Sequence, residues 1–311
     1  MKQVHIFFKR INPFKEVDNN SKIEFVIQKM IAFLLLHAGA SIFFDAVIIL
    51  LFSINGFDVL HGQLPTGEWV NALPLYGMAG FTIMTLLYVK LAEKRSLSDI
   101  GIRWNLKLVR VILKGLFIGA ALVAVMIAIL MVLGQYSYSD FGNSSLYSLL
   151  IWFGAYFIQA STEEIMCRGF LQTSLMRRVN KKTAILISSI AFALPHMSSL
   201  LELNGLLRPV SVINLLLVSI LFSVAMLHEK SIGIACGIHI GWNYCLGSVF
   251  GLEVSGGGVT NSIFKFILRS DKNILNGGTY GIEASVILIP ILAICIALYV
   301  RNIMRSERNG I

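Results

Sequence analysis

Residues 109–133, VRVILKGLFIGAALVAVMIAILMVL, decide the fold class of this chain. Their only charged side chains are Arg110 and Lys114, which lie near one end, so the rest of the segment is an uninterrupted apolar run. An α-helix needs about 20 consecutive, mostly apolar residues to cross the hydrocarbon core of a bilayer. The segment therefore predicts a membrane-spanning helix with a basic flank at one membrane face.

The composition of the whole chain indicates the same environment. Hydrophobic residues make up 56% of the sequence and charged residues only 14%, and the mean hydropathy is +0.75. A soluble domain would carry about 25% charged residues. The sequence therefore predicts an all-α fold, a polytopic membrane helix bundle with about eight transmembrane helices. The predicted spans are 30–54, 70–91, 109–133, 146–174, 183–199, 210–227, 231–252 and 283–304.

Positive charge is distributed unevenly between the two sides of this bundle. If the N-terminus is cytoplasmic, 21 of the 26 Lys and Arg residues lie in cytoplasmic segments, as the positive-inside rule requires. We expect an integral protein of the plasma membrane with both termini cytoplasmic, a basic cytoplasmic segment at 1–29 and a single membrane domain at 30–311. Because the basic residues are spread over membrane-flanking loops, the net charge of +9 indicates contact with the lipid bilayer and excludes a nucleic-acid partner.

Two local features modify this simple picture. The span 183–199 contains Pro195, which predicts a kinked or unwound outer end. A non-cytoplasmic loop between the glycine-rich segments near 256 and 277 carries a short apolar patch, Ile263 to Leu268. That loop is interpreted either as a cap on the outer surface or as a flexible connector.

Three fragments inside predicted spans carry ionisable or amide side chains. They are EEIMCR at 163–168, FALPH at 192–196 and HIGWN at 239–243. Such groups are costly in hydrocarbon, so each is a functional-site hypothesis. The fragment ends farthest from the cytoplasm, Glu163, His196 and Asn243, lie 13 or 14 residues from a basic cytoplasmic flank, about 20 Å along each helix at 1.5 Å per residue. The fragments are therefore expected to meet at one depth.

Helical spacing suggests how these side chains are used. Glu164 and Arg168 are four residues apart, so they share a helix face and can form an ion pair. Glu163 is rotated by about 100° from Glu164 and points elsewhere. His239 and Asn243 are also four apart and share a face.

This set of groups suits hydrolysis by an activated water. A carboxylate near two imidazoles can deprotonate water, and an imidazole and an amide can stabilise the oxyanion of a tetrahedral intermediate. The alternative interpretation is structural, with a buried ion pair and histidine and asparagine side chains that form interhelical hydrogen bonds.

The order of these motifs resembles the CPBP family of intramembrane proteases, also called the ABI family, which contains the type II CAAX prenyl endopeptidases and their bacterial relatives. The residues RGFL at 168–171 continue the first motif as family members do, and the segment 94–102 resembles the element that precedes the family's core. The resemblance covers about 94–250, with a catalytic core at about 145–250. Two departures are Cys167, where the family usually carries an aromatic residue, and Pro195, directly before the motif histidine.

The resemblance implies a role for each matched position. One acid is the general base that activates water, the histidines bind or polarise that water, and a histidine with the asparagine stabilises the oxyanion. The remaining acid and the arginine give structural support or contact the substrate. The implied catalytic residues are Glu163, His196, His239 and Asn243, and the implied supporting residues are Glu164, Arg168 and Phe192.

The sequence does not decide which cofactor or substrate the protein uses. Two His and one Glu would make a catalytic zinc set with an open fourth position, namely Glu163, His196 and His239. The sequence lacks His-Glu-x-x-His, so a metal-free reaction is the other possibility. The expected partner is a membrane-embedded or lipidated protein or peptide substrate, and no oligomeric state is predicted. Competing functions are a non-catalytic membrane regulatory or immunity scaffold and a transporter.

Overall fold

A computed structural model describes residues 9–15, 20–257, 261–269 and 273–309. The predicted basic segment 1–29 therefore lies partly outside the described residues. Within them the chain is mostly helical, and six helices are long and apolar enough to cross a membrane. These are Lys22–Ile54, Glu68–Leu91, Leu106–Val132, Lys181–Glu202, Leu207–Glu229 and Leu288–Arg308.

We number the α-helices along the chain. Some of the long helices are divided by short irregular turns, so they carry two numbers. The helices are α1 (Lys22–Ile54), α2 (Glu68–Gly77), α3 (Ala79–Leu91), α4 (Leu106–Val132), α5 (Leu146–Glu164), α6 (Thr173–Leu175), α7 (Lys181–Ala193), α8 (Met197–Glu202), α9 (Leu207–Glu229), α10 (Gly233–Tyr244) and α11 (Leu288–Arg308).

The two predicted spans outside these six, 146–174 and 231–252, are helical but change their hydrogen-bonding pattern. Helix α5 continues as a π-helix at Ile165–Gln172, and α10 continues as a π-helix at Cys245–Val249. The first π-helix begins inside the motif 163–168 and contains Arg168, and the second begins two residues after Asn243. π-Helical turns are rare and occur often at functional sites. Their presence therefore makes these two helices candidates for carrying the functional site.

The predicted irregularity at Pro195 is confirmed. Helix α7 ends at Ala193, and Leu194–His196 forms a 3₁₀ turn that leads into α8. Proline lacks a backbone N–H and its ring clashes with the preceding helical turn, so the regular helix stops there.

The expectation of an all-α fold is wrong in one element. Tyr136–Phe141 (β1) and Phe264–Leu268 (β2) form a two-stranded antiparallel sheet in which Tyr136 pairs with Leu268. Strand β2 is the apolar patch predicted within the loop, and its aromatic side chains contact those of β1, such as Phe264 with Phe141 at 5.7 Å between ring centroids. These aromatic cross-strand contacts favour an ordered ribbon over a flexible connector.

Four glycines set the closest approach of two helices. Gly115 and Gly119 of α4 face Gly237 and Gly241 of α10. A Cβ atom added to Gly237 would lie 2.9 Å from the Gly115 Cα atom, closer than ordinary carbon contacts of about 3.5 to 4.0 Å. Both pairs have the small-xxx-small spacing that lets helix backbones approach closely in membranes. The contact fixes α10, which carries His239 and Asn243.

A buried ionic cluster joins three elements at the basic end of the bundle. The Glu93 carboxylate lies 2.6 Å from Lys29 Nζ and 2.9 Å from Arg95 Nη1, and accepts a hydrogen bond of 2.7 Å from the Ser174 hydroxyl. Burial acts to raise the pKa of Glu93, but Lys29 and these hydrogen bonds hold it below its ordinary value. The cluster connects α1, the segment after α3, and α6, which follows the first π-helix.

Candidate active site

The first motif forms an ion pair inside the bundle, as the helical spacing predicts. Arg168 Nη1 donates to Glu164 Oε1 at 3.2 Å, and both side chains are fully buried. Arg168 Nη2 also donates to the backbone oxygen and hydroxyl of Ser219 at 3.1 and 2.5 Å. The guanidinium Cζ lies 4.3 Å from the ring centroid of Phe192 and 5.3 Å from that of Phe222. These contacts offset the free-energy cost of burying the guanidinium charge of Arg168.

The second partner of Glu164 is His239, which spacing along one helix does not reveal. The Nδ1 atom of His239 lies 3.0 Å from Glu164 Oε1, and its ring stacks on Phe222 with centroids 5.1 Å apart. An ionised carboxylate can only accept hydrogen bonds, so Nδ1–H donates to Glu164. This leaves Nε2 directed toward Glu163, at 3.9 Å from its Oε2 atom. Glu164 therefore orients the imidazole while Arg168 balances its charge.

Glu163 has one occupied and one unoccupied carboxylate oxygen. Its Oε1 atom accepts a hydrogen bond of 3.0 Å from Gln159 Nε2. Its Oε2 atom is buried and has no hydrogen-bond partner among the described residues. Asn243 Nδ2 donates to Gln159 Oε1 at 3.0 Å, so the glutamine links the asparagine to the acid. Buried polar atoms are seldom left unpaired, which makes Oε2 a candidate site for water or substrate.

His196 lies beside this group without joining its hydrogen bonds. Its Nδ1 atom is 3.1 Å from the Phe192 carbonyl oxygen, within its own helical turn. The Phe192 ring is 5.3 Å from the His196 ring and 6.0 Å from the His239 ring, between centroids. The structure therefore links Glu163 to Asn243 through Gln159 and brings His239 to 3.9 Å from Glu163, whereas His196 contacts Phe192.

The zinc set considered from the sequence does not fit this arrangement. Among the described residues there is no group of three His, Cys, Asp or Glu side chains placed to hold a metal ion. Glu163 and His239 approach each other, but His196 is directed to the Phe192 carbonyl. We therefore derive no chemical step through a metal.

Three residues near the site were missed in the sequence analysis. Gln159 is visible in retrospect as a polar residue one helical turn before Glu163 within an apolar run. Ser219 gives no such signal, because single hydroxyl groups are common in apolar helices. His37 of α1 packs its ring with a centroid distance of 5.3 Å to that of Phe81 in α3. An imidazole in the first span was a detectable signal.

Comparison with known families agrees with the motif reading. Residues 145–245 match the family model described as "Type II CAAX prenyl endopeptidase Rce1-like". This confirms the resemblance over about a third of the chain and places the similarity to a protease family on α5 to α10. The segment 94–102 lies outside the match. No curated protein and no solved structure matches the chain.

Proposed function

We propose that this protein is an intramembrane endopeptidase that hydrolyses a peptide bond of a membrane-embedded or lipid-tethered protein or peptide with water activated by Glu163. The observation that carries the proposal is the facing pair Glu163 Oε2 and His239 Nε2, 3.9 Å apart, in which the carboxylate oxygen is buried and without a hydrogen-bond partner among the described residues. That separation is too long for a direct hydrogen bond. A water molecule to one side of the pair, about 2.8 Å from each atom, can bond to both.

The reaction follows from these two positions. With its Nδ1–H given to Glu164, a neutral His239 presents the Nε2 lone pair and accepts a hydrogen bond from the water. Glu163 removes the other water proton as the water oxygen attacks the carbonyl carbon of the substrate. The same carboxyl group then returns this proton to the departing amine as the peptide C–N bond breaks.

The amide of Asn243 is suited to the charge that develops on the substrate oxygen. One of its two N–H groups donates to Gln159, so the second is available to the oxyanion. Fixed donors aimed at a developing oxyanion contribute strongly in a site of low polarity. This scheme assigns no step to His196, so a catalytic role for His196 stays a prediction from the family resemblance.

The substrate class is proposed from the setting of the site. The proposed catalytic side chains lie on α5 and α10 of a polytopic helical membrane protein, which supports a substrate chain that resides in or is anchored to the bilayer. The family match names a prenyl endopeptidase, which supports a lipid-tethered substrate as one form of this class.

We also propose that the protein lies in the cell membrane with both termini cytoplasmic. The distribution of Lys and Arg supports this orientation. Cysteine labelling in intact cells should place positions near Arg178 and Ser306 on the cytoplasmic side and Gly256 on the other. Labelling of Arg178 and Gly256 from the same side would contradict the assigned spans.

The test of the activity compares membrane peptides from cells that express the wild type or Glu163→Gln. Glutamine keeps the size and polarity of glutamate but cannot take a proton from water, so abundance should stay normal while cleavage falls by about 10² or more. The matched control is Glu202→Gln, which makes the same change at an exposed glutamate of α8. It should leave cleavage unchanged.

Two further arms separate the alternatives. Cleavage by purified protein should survive a chelator, whereas loss of cleavage that zinc restores would contradict the metal-free scheme. Full biological activity in the Glu163→Gln variant would overturn the protease proposal and favour the non-catalytic scaffold.

A further inference from the structure

A deep apolar groove lies beside the candidate active site. It runs between α3 and α4, and its floor is formed by α5 and the start of α10. The cavity measures about 350 Å³, at the lower end of the roughly 300 to 1,000 Å³ of small-molecule pockets. Residues that define it include Ala79, Leu86, Trp104, Ile112, Phe157 and Ser161.

The groove extends to the basic end of the bundle. A second cavity of about 370 Å³ shares Ile83 and Leu86 with the first and reaches Lys90 and Arg95. Thr82 and Lys90 are eight residues apart on α3, which is about 12 Å along the helix axis at 1.5 Å per residue. Together the two cavities form one elongated apolar groove. We call its positively charged end, at Lys90 and Arg95, the mouth of the groove.

The charges at the mouth are suited to an anion. Lys90 and Arg95 line the second cavity. Lys90 is exposed and has no ion-pair partner within the described part of the chain. The nearby acid Asp99 accepts hydrogen bonds from Ser96, and Glu93 is buried against Lys29 and Arg95. Trp104 lines the first cavity and is 80% exposed, as is typical of an aromatic residue at a membrane interface.

The groove does not reach the groups that carry the proposed chemistry. Helix α5 presents Ser161 and Thr162 to it, and α10 presents Cys236. Glu163, His239 and Asn243 are absent from its lining, because Glu163 projects about 100° away from Thr162 around the helix. An occupant of the groove can thus stay in place while a substrate is cleaved.

We infer that this groove binds one anionic phospholipid, with an acyl chain between α3 and α4 and its phosphate group among the cations at the mouth. Apolar chains fit the lining, and membrane lipids of the adjacent leaflet supply both the chain and the negative charge. The bound chain packs directly against α5 and α10, the two helices that hold Glu163 and His239.

The test uses phosphatidylglycerol and phosphatidylcholine as probes on the purified full chain. Native mass spectrometry should retain phosphatidylglycerol at least tenfold better than phosphatidylcholine. The variant Lys90→Gln should lose that preference, because Lys90 lines the second cavity and is not held in the buried ionic cluster. The matched control Lys182→Gln removes an exposed cation of α7 and should keep it. Equal retention of both lipids by the wild type would overturn the proposal.

The acyl-chain part is tested by filling the groove. Ala79→Phe should reduce phosphatidylglycerol retention at least tenfold, whereas Val125→Phe, at a half-exposed position of α4 outside the groove, should not. Brominated phosphatidylglycerol should quench the part of the fluorescence that Trp104→Phe removes. Equal effects of the two phenylalanine variants would refute the site.

A final arm identifies the competing occupant. Addition of a farnesylated peptide should leave the bound phosphatidylglycerol in place. Its displacement, one lipid for one peptide, would overturn the inference and make the groove a substrate site. Because none of these measurements uses cleavage, their outcome is independent of the proposed protease activity.

Discussion

The contact between α4 and α10 offers the sharpest test of how the fold positions the site. We consider Gly237→Ala, which adds one methyl group two residues before His239. The added Cβ would lie 2.9 Å from the Gly115 Cα atom and the Leu116 backbone nitrogen, and closer still to the Ile112 carbonyl oxygen. All three neighbours are backbone atoms, which cannot rotate away as the end of a flexible side chain can.

The size of the effect follows from these distances. To restore ordinary carbon contacts of about 3.5 to 4.0 Å, the two helices have to move apart by about 1 Å. Overpacking of this kind costs about 1 to 3 kcal/mol of unfolding free energy. The same shift displaces His239, whose Nδ1 atom is 3.0 Å from Glu164 Oε1. A misplacement of 1 Å can cost about 10²-fold in rate.

The assay is reversible unfolding of the purified protein in mixed detergent micelles, with cleavage measured in parallel. Gly80→Ala is the matched control, because Gly80 is also helical and a Cβ added there has no neighbour within 4 Å. Alanine is the better helix former by about 0.8 to 1 kcal/mol, so this control should be neutral or stabilising. If Gly237→Ala is as stable and active as Gly80→Ala, the glycine contact does not position α10.

Substitutions at three further residues probe the buried polar contacts. Arg168→Ala leaves Glu164 buried without its charge partner and should lower the unfolding free energy by about 3 to 5 kcal/mol, and normal stability of the purified variant would argue against the pair. The pKa of Glu93 is lowered in the folded state, so its stabilising contribution is present above the ordinary carboxyl pKa and is lost as the pH falls through the folded value. The unfolding free energies of wild type and Glu93→Gln, measured as a function of pH, should therefore differ at neutral pH and become equal in acid. A difference that does not change with pH would contradict this. Glu283 accepts hydrogen bonds from Trp242 Nε1 at 2.9 Å and from the Ser255 backbone N–H at 2.5 Å. Glu283→Leu should destabilise the protein by about 1 to 3 kcal/mol by unfolding assay, whereas Glu283→Gln should recover part of that loss because its amide oxygen still accepts.

The membrane character of the chain was predictable because it depends on local properties. Uninterrupted apolar runs such as 115–133 can be stable only as spanning helices, since each backbone polar group must be paired inside lipid. The cost of an ionisable or amide side chain in hydrocarbon is equally local, and it singled out Glu163, His239 and Asn243 before any contact was known. The β1–β2 ribbon was not foreseen, because pairing of strands so far apart in the sequence depends on where the helices between them place their ends.

The assignment of partners required the tertiary structure. Helical periodicity identifies neighbours within one helix, such as Glu164 and Arg168, but it cannot tell which residue of another helix faces them. That choice is made by backbone packing, here by the glycines that bring α10 against α4 and fix its rotation. The sequence by itself therefore indicated a polytopic helical membrane protein and predicted which polar side chains lie within its apolar segments. Only the packed bundle decided that His239 binds Glu164, that Gln159 links Asn243 to Glu163, and that His196 lies apart, because interhelical hydrogen bonds require ångström-level placement of elements far apart in the chain.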